Sequence, residues 1–545
     1  MPTVEVEKKD LEKLIGKKFS KQELEDALMY VKGEVDAWEG DLLKVDMKDT
    51  NRPDLWSTEG IARELKGRLG IRKGMPEYKV KKSGISAEVD PALKNIRPKA
   101  AYAIARGVKV TDEFIRQIVQ LQEKICMTFG RKRDEVAIGL FDLDQVHGNV
   151  KYYAAKKSEE FIPLDYGVKM RLDEILQEHP KGKEYGHLIA KFDKFPLLVD
   201  SKGEVLSMPP IINSAGSGKI TEKTRNLFVD VTGFDQEKIN TALKIICMAL
   251  ADRGGKIESV EIKYNGKKLT TPEFGTKKIS VDLDFARKMS GIDFTSRHFL
   301  SLIQKSGMVG KLKGKKVEVT YADYRRDIIH AVDVIEDVLI SEGFNSIKPE
   351  KVEMDVVGHE RVESIYLDKV RDVCVGLGLQ EILTFVLSSR ERQERKIGLK
   401  GEKFVELANP VSLNWVIMRK RLYPEHLGFL FRNKNADYPQ RIFEIGRALE
   451  LGPKNETGVK EMEKLCIVVS DRRFGFTQMK SVLDAVCSNL GINYSISDSS
   501  DPAFEKGKSG EISMGKKRGV LGEINRKTLD AFGLEMPVSV MEIEI

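Results

Sequence analysis

Along this chain the apolar residues alternate between two spacings, and each change of period marks an element. Ser20-Lys21-Gln22-Glu23 has the form of a capping box and opens a helix that reaches about Tyr30 and ends near Gly33. Asp49–Ser57 follows as a stiff loop, because Pro53 drives Arg52 out of the helical region. Thr58–Leu69 reads as a helix closed by Gly70, with Asn51–Asp54 readable as no more than its capping turn. Residues 71–97, rich in Lys, Gly and Pro, read as a linker or domain edge, and a new unit begins near Ala100. There the period falls to two: Tyr102, Ile104, Arg106, Val108 and Val110 alternate as a strand. Thr111 or Asp112 caps a helix running to Phe129-Gly130, and Val136–Leu140 is a second strand. Asp235 caps a helix whose stripe is Ile239, Leu243, Ile246 and Leu250, stopped by Gly254-Gly255. Asn265-Gly266 joins Val260–Tyr264 to Lys267–Leu269 as a hairpin.

Between these elements lies Phe195–Gly233, the stretch around which the rest is organised. Its apolar runs are Pro196–Val199, Glu204–Leu206 and Asn226–Val231, with Ser201-Lys202-Gly203 as a hairpin loop. Met208–Asn213 cannot be a central strand, because Pro209 and Pro210 lack ladder donors. Asp230 and Thr232, two apart, share one face of the last strand. Ser207, Asn213, Asp230 and Thr232 could therefore line one polar pocket in an apolar β scaffold. The same residues would also serve as turn and solvent-face positions. Gly216–Thr221 has the look of a phosphate loop, but Ile220 follows the Lys and Asn213 stands where a Gly is needed, so no nucleotide site is expected. Asp142 and Asp144 are spaced either to bind a metal or to end a strand and cap the next turn.

A third unit begins near Thr271-Pro272. Tyr324–Gly343 reads as a helix with the stripe Ile328, Val332, Ile335 and Leu339. Asp333, Glu336 and Asp337 fall on one helical face, and Asp327 lies about 120° away. Such crowding needs water, a basic partner or a cation. An oxygen-only set suits Mg²⁺ rather than zinc, and a solvated acidic face is the alternative. The last unit starts near Pro349, with a helix at Val362–Cys374 and strands at Gln380–Leu387, Gln440–Gly446, Leu465–Val469 and Lys517–Ile524. That pattern suggests an antiparallel sheet flanked by helices.

A length of 545 residues implies about three to four domains. With 41% hydrophobic and 32% charged residues, the chain can bury an ordinary globular core, and no run approaches a membrane span. The charged start is unlike a signal peptide. Cys126, Cys247, Cys374, Cys466 and Cys487 are far apart, which points to reduced, buried thiols in the cytosol and away from zinc. The net charge of +7 permits a polyanionic partner without requiring one.

Several motifs occur in one order. They are Asn51-Arg52-Pro53-Asp54 with Ser57 and Gly60–Glu64; Ala137-Ile138-Gly139 with Asp142-Leu143-Asp144; Leu206–Asn213; Thr224–Asn226 through Thr232-Gly233; Arg326-Asp327-Ile328 with Asp333–Asp337; Leu377–Thr384; and Phe443–Gly446. With these the chain resembles the β-subunit family of phenylalanyl-tRNA synthetases, of the archaeal and eukaryotic-cytosolic type, over essentially its whole length. The resemblance implies an α+β multidomain fold. Residues 1–90 would be an N-terminal α/β domain and 91–270 a β-rich editing domain. Residues 271–348 would be a central winged-helix-like domain with an acidic metal site. Residues 349–545 would be a class II synthetase-like module. It further implies a cytoplasmic, membrane-free α₂β₂ ligase acting on tRNA(Phe), with phenylalanine and ATP bound by the α subunit. The C-terminal end, Met536–Ile545, has neither the Gly nor the Arg of an ATP site, so the last unit looks like a catalytic fold kept as scaffold, with Arg419 and Arg421 as relics. The family's editing pocket, which hydrolyses Tyr-tRNA(Phe), would comprise Ser207, Asp230 and Thr232, with Leu198 and Asn213 binding the substrate. Its Mg²⁺ positions correspond to Asp327, Asp333, Glu336 and Asp337. Phe141 stands where many relatives carry His, and no role is assigned to it.

Overall fold

In the computed structural model, which describes residues 2–545, the capping box at Ser20 forms as its residues require. Ser20 Oγ accepts from Glu23 N–H and the Glu23 carboxylate accepts from Ser20 N–H. Around it lie β1 (Thr3–Glu7), α1 (Lys8–Ile15), α2 (Lys21–Leu28), β2 (Gly33–Glu39) and β3 (Leu42–Met47), with the strands in the order β1-β3-β2. Ser57 caps α3 (Thr58–Arg68) through Gly60 N–H. The residues up to Glu350 form one compact unit and Lys351–Ile545 a second.

Residues 71–97 are not a linker. They contain β4 (Val80–Val89), an interior strand of a ten-stranded sheet. Its alternation is broken at Gly84, which adopts φ +78° where the pairing with the neighbouring strand shifts register. The bulge and the exposed Lys81 and Lys82 hide the strand from a period-two reading. The sheet continues with β5 (Lys99–Arg106), β6 (Val136–Asp142) and β7 (Val150–Lys156), while β8 (Glu160–Phe161) and β9 (Met170–Arg171) pair separately. Then come β10 (Lys194–Asp200), β11 (Val205–Met208), β12 (Ile212–Asn213), β13 (Leu227–Gly233), β14 (Lys256–Tyr264) and β15 (Lys267–Thr271). The order is β12-β11-β10-β7-β4-β14-β5-β13-β6, with β15 on β14. The two prolines after Met208 confine β12 to two residues at an edge, as their missing donors require.

The sheet curls until its two edges meet: Asn213 Nδ2 of β12 donates to Leu140 O of β6 at 3.3 Å, and Asp142 N–H donates to Ser217 O at 2.8 Å. One face packs on α4 (Asp112–Met127) and α7 (Gln236–Asp252) through residues such as Val229, Val231, Leu121 and Leu243. The interior face holds Tyr102, Phe141, Tyr152, Leu198 and Phe228. The short helices α5 (Leu172–Glu178) and α6 (Pro180–Tyr185) pack with a smaller cluster that includes Phe195 and Leu197.

The rest of the first unit has β16 (Thr276–Asp282), α8 (Leu283–Ser290), α9 (Ser296–Lys305), β17 (Val309–Lys313), β18 (Lys316–Ala322) and α10 (Ala331–Glu342). The helix expected from Tyr324 begins only at Ala331, so Asp327 lies in a preceding turn. Its buried stripe includes Val334, Ile335 and Val338, whereas Val332 is exposed.

In the second unit, α11 (Val362–Gly376) precedes β19 (Gln380–Glu381), β20 (Leu387–Ser388) and β21 (Ile417–Met418). The single strand expected at Gln380–Leu387 is two short pieces. Beyond α12 (Tyr423–Arg432) come β22 (Gln440–Leu451), β23 (Val459–Ser470), α13 (Phe476–Leu490), β24 (Ser495–Asp498), β25 (Phe504–Met514), β26 (Lys517–Ile524), α14 (Arg526–Phe532) and β27 (Val538–Glu544). The seven-stranded sheet β19-β22-β23-β27-β26-β25-β24 is antiparallel except at β19. α12 and α14 cover one face and α11 and α13 the other. The protein is thus a mixed α/β multidomain chain. No described helix is long and apolar enough to cross a membrane, and all five cysteines are buried and unpaired.

Candidate functional site

At the seam of the curled sheet lies a cleft of about 340 Å³, lined by Ser207, Asn213, Asp230 and Thr232. Strand alternation puts Phe228, Asp230 and Thr232 on the interior face of β13, opposite the helices. Ser207 reaches the cleft from β11 and pairs in register with Asn213. Leu198 does not line it. This residue pairs with Ser207 from β10 and is fully buried in the interior cluster, where it supports the wall from behind. Gly139 faces Asp230 across the β6–β13 ladder. A Cβ at Gly139 would stand 2.8 Å from the Phe141 ring and 3.4 Å from Asn213 Oδ1, so glycine keeps this floor open. Phe141 itself is buried against Phe228, ring centroids 6.1 Å apart.

The electrostatics set this cleft apart from a core void. Ser207 Oγ and Asp230 Oδ1 are buried with no hydrogen-bond partner among the described residues, and so are the hydroxyls of Tyr102 and Tyr152 behind them. Unsatisfied polar atoms grouped at a cavity are expensive unless something polar enters. Burial pushes the Asp230 carboxyl up to about 8, and Arg97 opposes it only partly. Arg97 is a residue the sequence did not single out, because nothing in Ile96-Arg97-Pro98 is periodic. It is buried, and its guanidinium donates to Thr232 Oγ1 at 2.9 Å, Thr232 O at 2.7 Å and Asp134 O at 2.7 Å. At the rim, Arg133 donates to Pro210 O and Ile211 O at 3.3 and 3.0 Å and pairs with Glu123 at 2.8 Å. His179 is committed as the cap of α6, its Nδ1 accepting from Lys181 N–H at 3.1 Å.

Two other sequence features resolve into structure. Asp142 accepts from Asp144 N–H and from Thr224 Oγ1 at 2.7 Å, and Asp144 accepts from Asn226 Nδ2, so the pair ends a strand and caps a turn. The Gly216–Thr221 loop forms part of the cleft wall, with Gly218, Lys219 and Ile220 lining it.

Three of the four carboxylates expected to hold Mg²⁺ are paired with basic side chains instead. Asp337 takes Arg68 on Oδ1 at 2.5 Å and Arg325 on Oδ2 at 2.6 Å. Asp327 is bound by Arg325 at 2.6 Å, and Glu336 by Lys32 at 2.6 Å. Asp333 caps α10, accepting from Ile329 and His330 N–H. Arg52 locks onto Asp54 through two bonds of 2.9 Å and reaches Glu64 at 3.1 Å. Burial alone would raise the Asp337 carboxyl, but Arg325, Arg68 and Arg52 outweigh it and hold it well below the usual range. Among the described residues no three acidic, His or Cys groups converge as metal ligands. Asp49, Asp327, Asp333, Glu336 and Asp337 share one cleft, but there they are bonded to Arg, Lys and backbone N–H groups. Of the basic partners, Lys32, Arg52 and Arg68 lie outside Tyr324–Gly343, beyond the reach of its helical spacing, and Arg325 lies in the turn before α10.

The phenylalanine–tRNA ligase beta subunit of Pyrococcus horikoshii is 44% identical over 548 residues, which span 100% of this chain and 99% of that protein. The chain belongs to the phenylalanine–tRNA ligase beta-subunit family. The beta subunit of Archaeoglobus fulgidus is 35% identical with 100% of this chain and 98% of the relative covered. The model of the B3/4 domain matches residues 93–249, that of the tRNA synthetase B5 domain 279–344, and that of the phenylalanyl tRNA synthetase beta chain CLM domain 347–545. The cleft residues thus fall in the B3/4 domain and the charged network draws its acidic helix from B5. A crystal structure of an N-terminal fragment of the Pyrococcus horikoshii phenylalanyl-tRNA synthetase beta subunit is 48% identical, with a TM-score of 0.62, covering 63% of this chain and all of that one.

Proposed function

We propose that the chain assembles with an α subunit into a cytoplasmic, ATP-dependent α₂β₂ phenylalanine–tRNA ligase and that its cleft hydrolyses mischarged Tyr-tRNA(Phe). The observation that carries this reading is the pair of unpartnered, buried polar atoms, Ser207 Oγ and Asp230 Oδ1, facing a cleft whose apolar wall includes Pro209, Pro210, Ile211 and Leu140. An apolar slot with unsatisfied polar groups suits an aromatic ring bearing a hydroxyl. Phenylalanine would leave those groups unpaired, which is a strong basis for choosing tyrosine.

The residues suggest how the ester is cut. Ser207 has no base hydrogen-bonded to it among the described residues, so it is better placed to bind than to attack, and water is the nucleophile. The ionised fraction of a carboxyl at about 8 is a competent base near neutral pH: Asp230 takes a proton as water adds to the ester carbonyl and returns it to the ribose oxygen as the C–O ester bond breaks, releasing tyrosine and uncharged tRNA. Thr232 lies beside it on the same strand face. Asn213 braces the seam from β12.

The ligase reaction itself belongs to the α partner in this reading. Arg419, the arginine that an ATP site would use, is buried and spent on Glu444 at 2.8 Å, Thr384 Oγ1 at 2.6 Å and Arg447 O at 2.8 Å. Leu383, Phe385, Val411 and Leu413 stand exposed on the second unit, apolar side chains suited to burial under a partner subunit. Deacylation of Tyr-tRNA(Phe) by the purified chain, with and without α, tests the reading. Turnover in either preparation supports it, and no turnover in both would reduce the chain to a tRNA-binding scaffold.

A further inference from the structure

Behind the cleft sits a guanidinium without an ion pair. Arg97 is almost wholly buried, yet among the described residues no carboxylate lies within salt-bridge distance of it, and its donors go to Thr232 and to the Asp134 carbonyl. A buried cation without a contacting anion is costly. Asp230 is a buried carboxyl that likewise has no contacting partner of opposite charge. Arg97 is the one charge that favours its ionised form. The two meet at β13: Arg97 holds Thr232, two residues from Asp230 on the same strand face.

We propose that Arg97 is the positioning residue of this pocket: it fixes the direction of the Thr232 hydroxyl and holds Asp230 in the state that acts on substrate. The inference rests on the hydrolytic reading of the cleft. Its chemistry follows from donor counting. A guanidinium has no acceptor, so Thr232 Oγ1 must accept from Arg97 Nε–H. One Thr232 lone pair is thereby occupied, and its own O–H is left to donate. The Nη2 bond to Thr232 O holds the same residue's backbone, so one guanidinium grips both its carbonyl and its hydroxyl. Thr232, which lines the cleft, keeps its O–H as a donor suited to the carbonyl oxygen on which charge develops as water adds. The groups facing Asp230 from the packed elements are Arg97 before β5, Tyr102 on β5 and Tyr152 on β7. Across the cleft stand Glu123, Arg133, Asp165, His179, Lys181 and Lys219. Both tyrosines stay neutral, since burial raises their hydroxyls far above their ordinary range. Arg97 is the only one of the three inner groups that can supply positive charge.

The test uses the assembled enzyme with Arg97→Gln and Arg97→Lys, and aminoacylation by the same preparations as the control for folding. The kcat/KM–pH profile of Tyr-tRNA(Phe) deacylation is measured for each. Arg97→Gln is expected to lower deacylation about a hundredfold at neutral pH, the size of a positioning loss, and to move the acid limb to higher pH. Arg97→Lys, which keeps the charge, is expected to leave that limb near its wild-type position. A profile for Arg97→Gln that falls without shifting, or does not fall, would overturn the inference. Inactive wild-type enzyme would instead overturn the hydrolytic reading. Arg97 is then decided by heat: the melting-temperature gain from Asp230→Asn, followed against pH, should extend to higher pH in the Arg97→Gln background, and an identical pH dependence in both backgrounds would overturn it.

Discussion

Replacing Arg68 with Met separates a salt-linked junction from a metal site. Arg68 is fully buried and donates to Glu64 at 2.8 Å, Asp337 Oδ1 at 2.5 Å, Asp337 O at 2.6 Å, Ser306 Oγ at 3.0 Å and Ser341 Oγ at 2.6 Å. Met keeps most of the volume and none of the donors. Asp337 would retain Arg325, and Glu64 would retain Arg52. Removing one partner of a buried charge network costs about 3–5 kcal/mol, whereas cutting the more exposed Lys32–Glu336 pair should cost under about 1 kcal/mol. Urea unfolding followed by tryptophan fluorescence reads the difference. Trp56, buried beside this junction, reports the first unit, and a Trp415→Phe background removes the signal of the second. The midpoint should be the same in EDTA and in Mg²⁺, because the carboxylates already have their cations. Asp337, held below its unfolded value, contributes stability that is fully present above about pH 4 and is lost only as the pH falls towards its lowered folded value. The junction should therefore be insensitive to pH between about 5 and 8 on account of this group. A loss under about 1 kcal/mol for Arg68→Met, or a midpoint that rises with Mg²⁺, would refute the reasoning.

Three further outcomes are expected from the cleft and the second unit. Asp230→Asn should raise the melting temperature, by a margin that grows from about pH 4 to about 8 and then levels, because the folded carboxyl holds a proton that the unfolded one has released; calorimetry across that range checks it. Gly139→Ala should narrow the floor against the Phe141 ring, costing about 1–3 kcal/mol, and should slow deacylation while aminoacylation stays intact. Leu413→Asp paired with Val411→Asp places two charges among exposed apolar side chains and should weaken association with α, read by analytical ultracentrifugation, without changing the melting of the isolated chain.

The features legible in the residues alone were local. The Ser20 and Asp235 caps, the Asn265-Gly266 hairpin and the α7 stripe each depend on neighbours within one turn, and each formed as expected. The pairing of Asp230 with Thr232 on one face followed from strand period. β4 was hidden because one bulged glycine erases alternation. Leu198 shares a sheet face with its register partner Ser207 but is buried in the interior cluster and does not line the cleft, a difference of depth that strand period does not encode. Arg97 and the partners of Asp337 were illegible for a common reason. A lone arginine has no pattern, and the residues it meets are 135 and 269 positions away in sequence.

Deacylation of Tyr-tRNA(Phe) by the assembled enzyme carrying Asp230→Ala is the most direct test of the central claim. The cleft reading predicts that charging with phenylalanine continues at the wild-type rate while Tyr-tRNA(Phe) survives, its hydrolysis reduced about a hundredfold or more. Hydrolysis at the wild-type rate would contradict it and place the editing chemistry elsewhere.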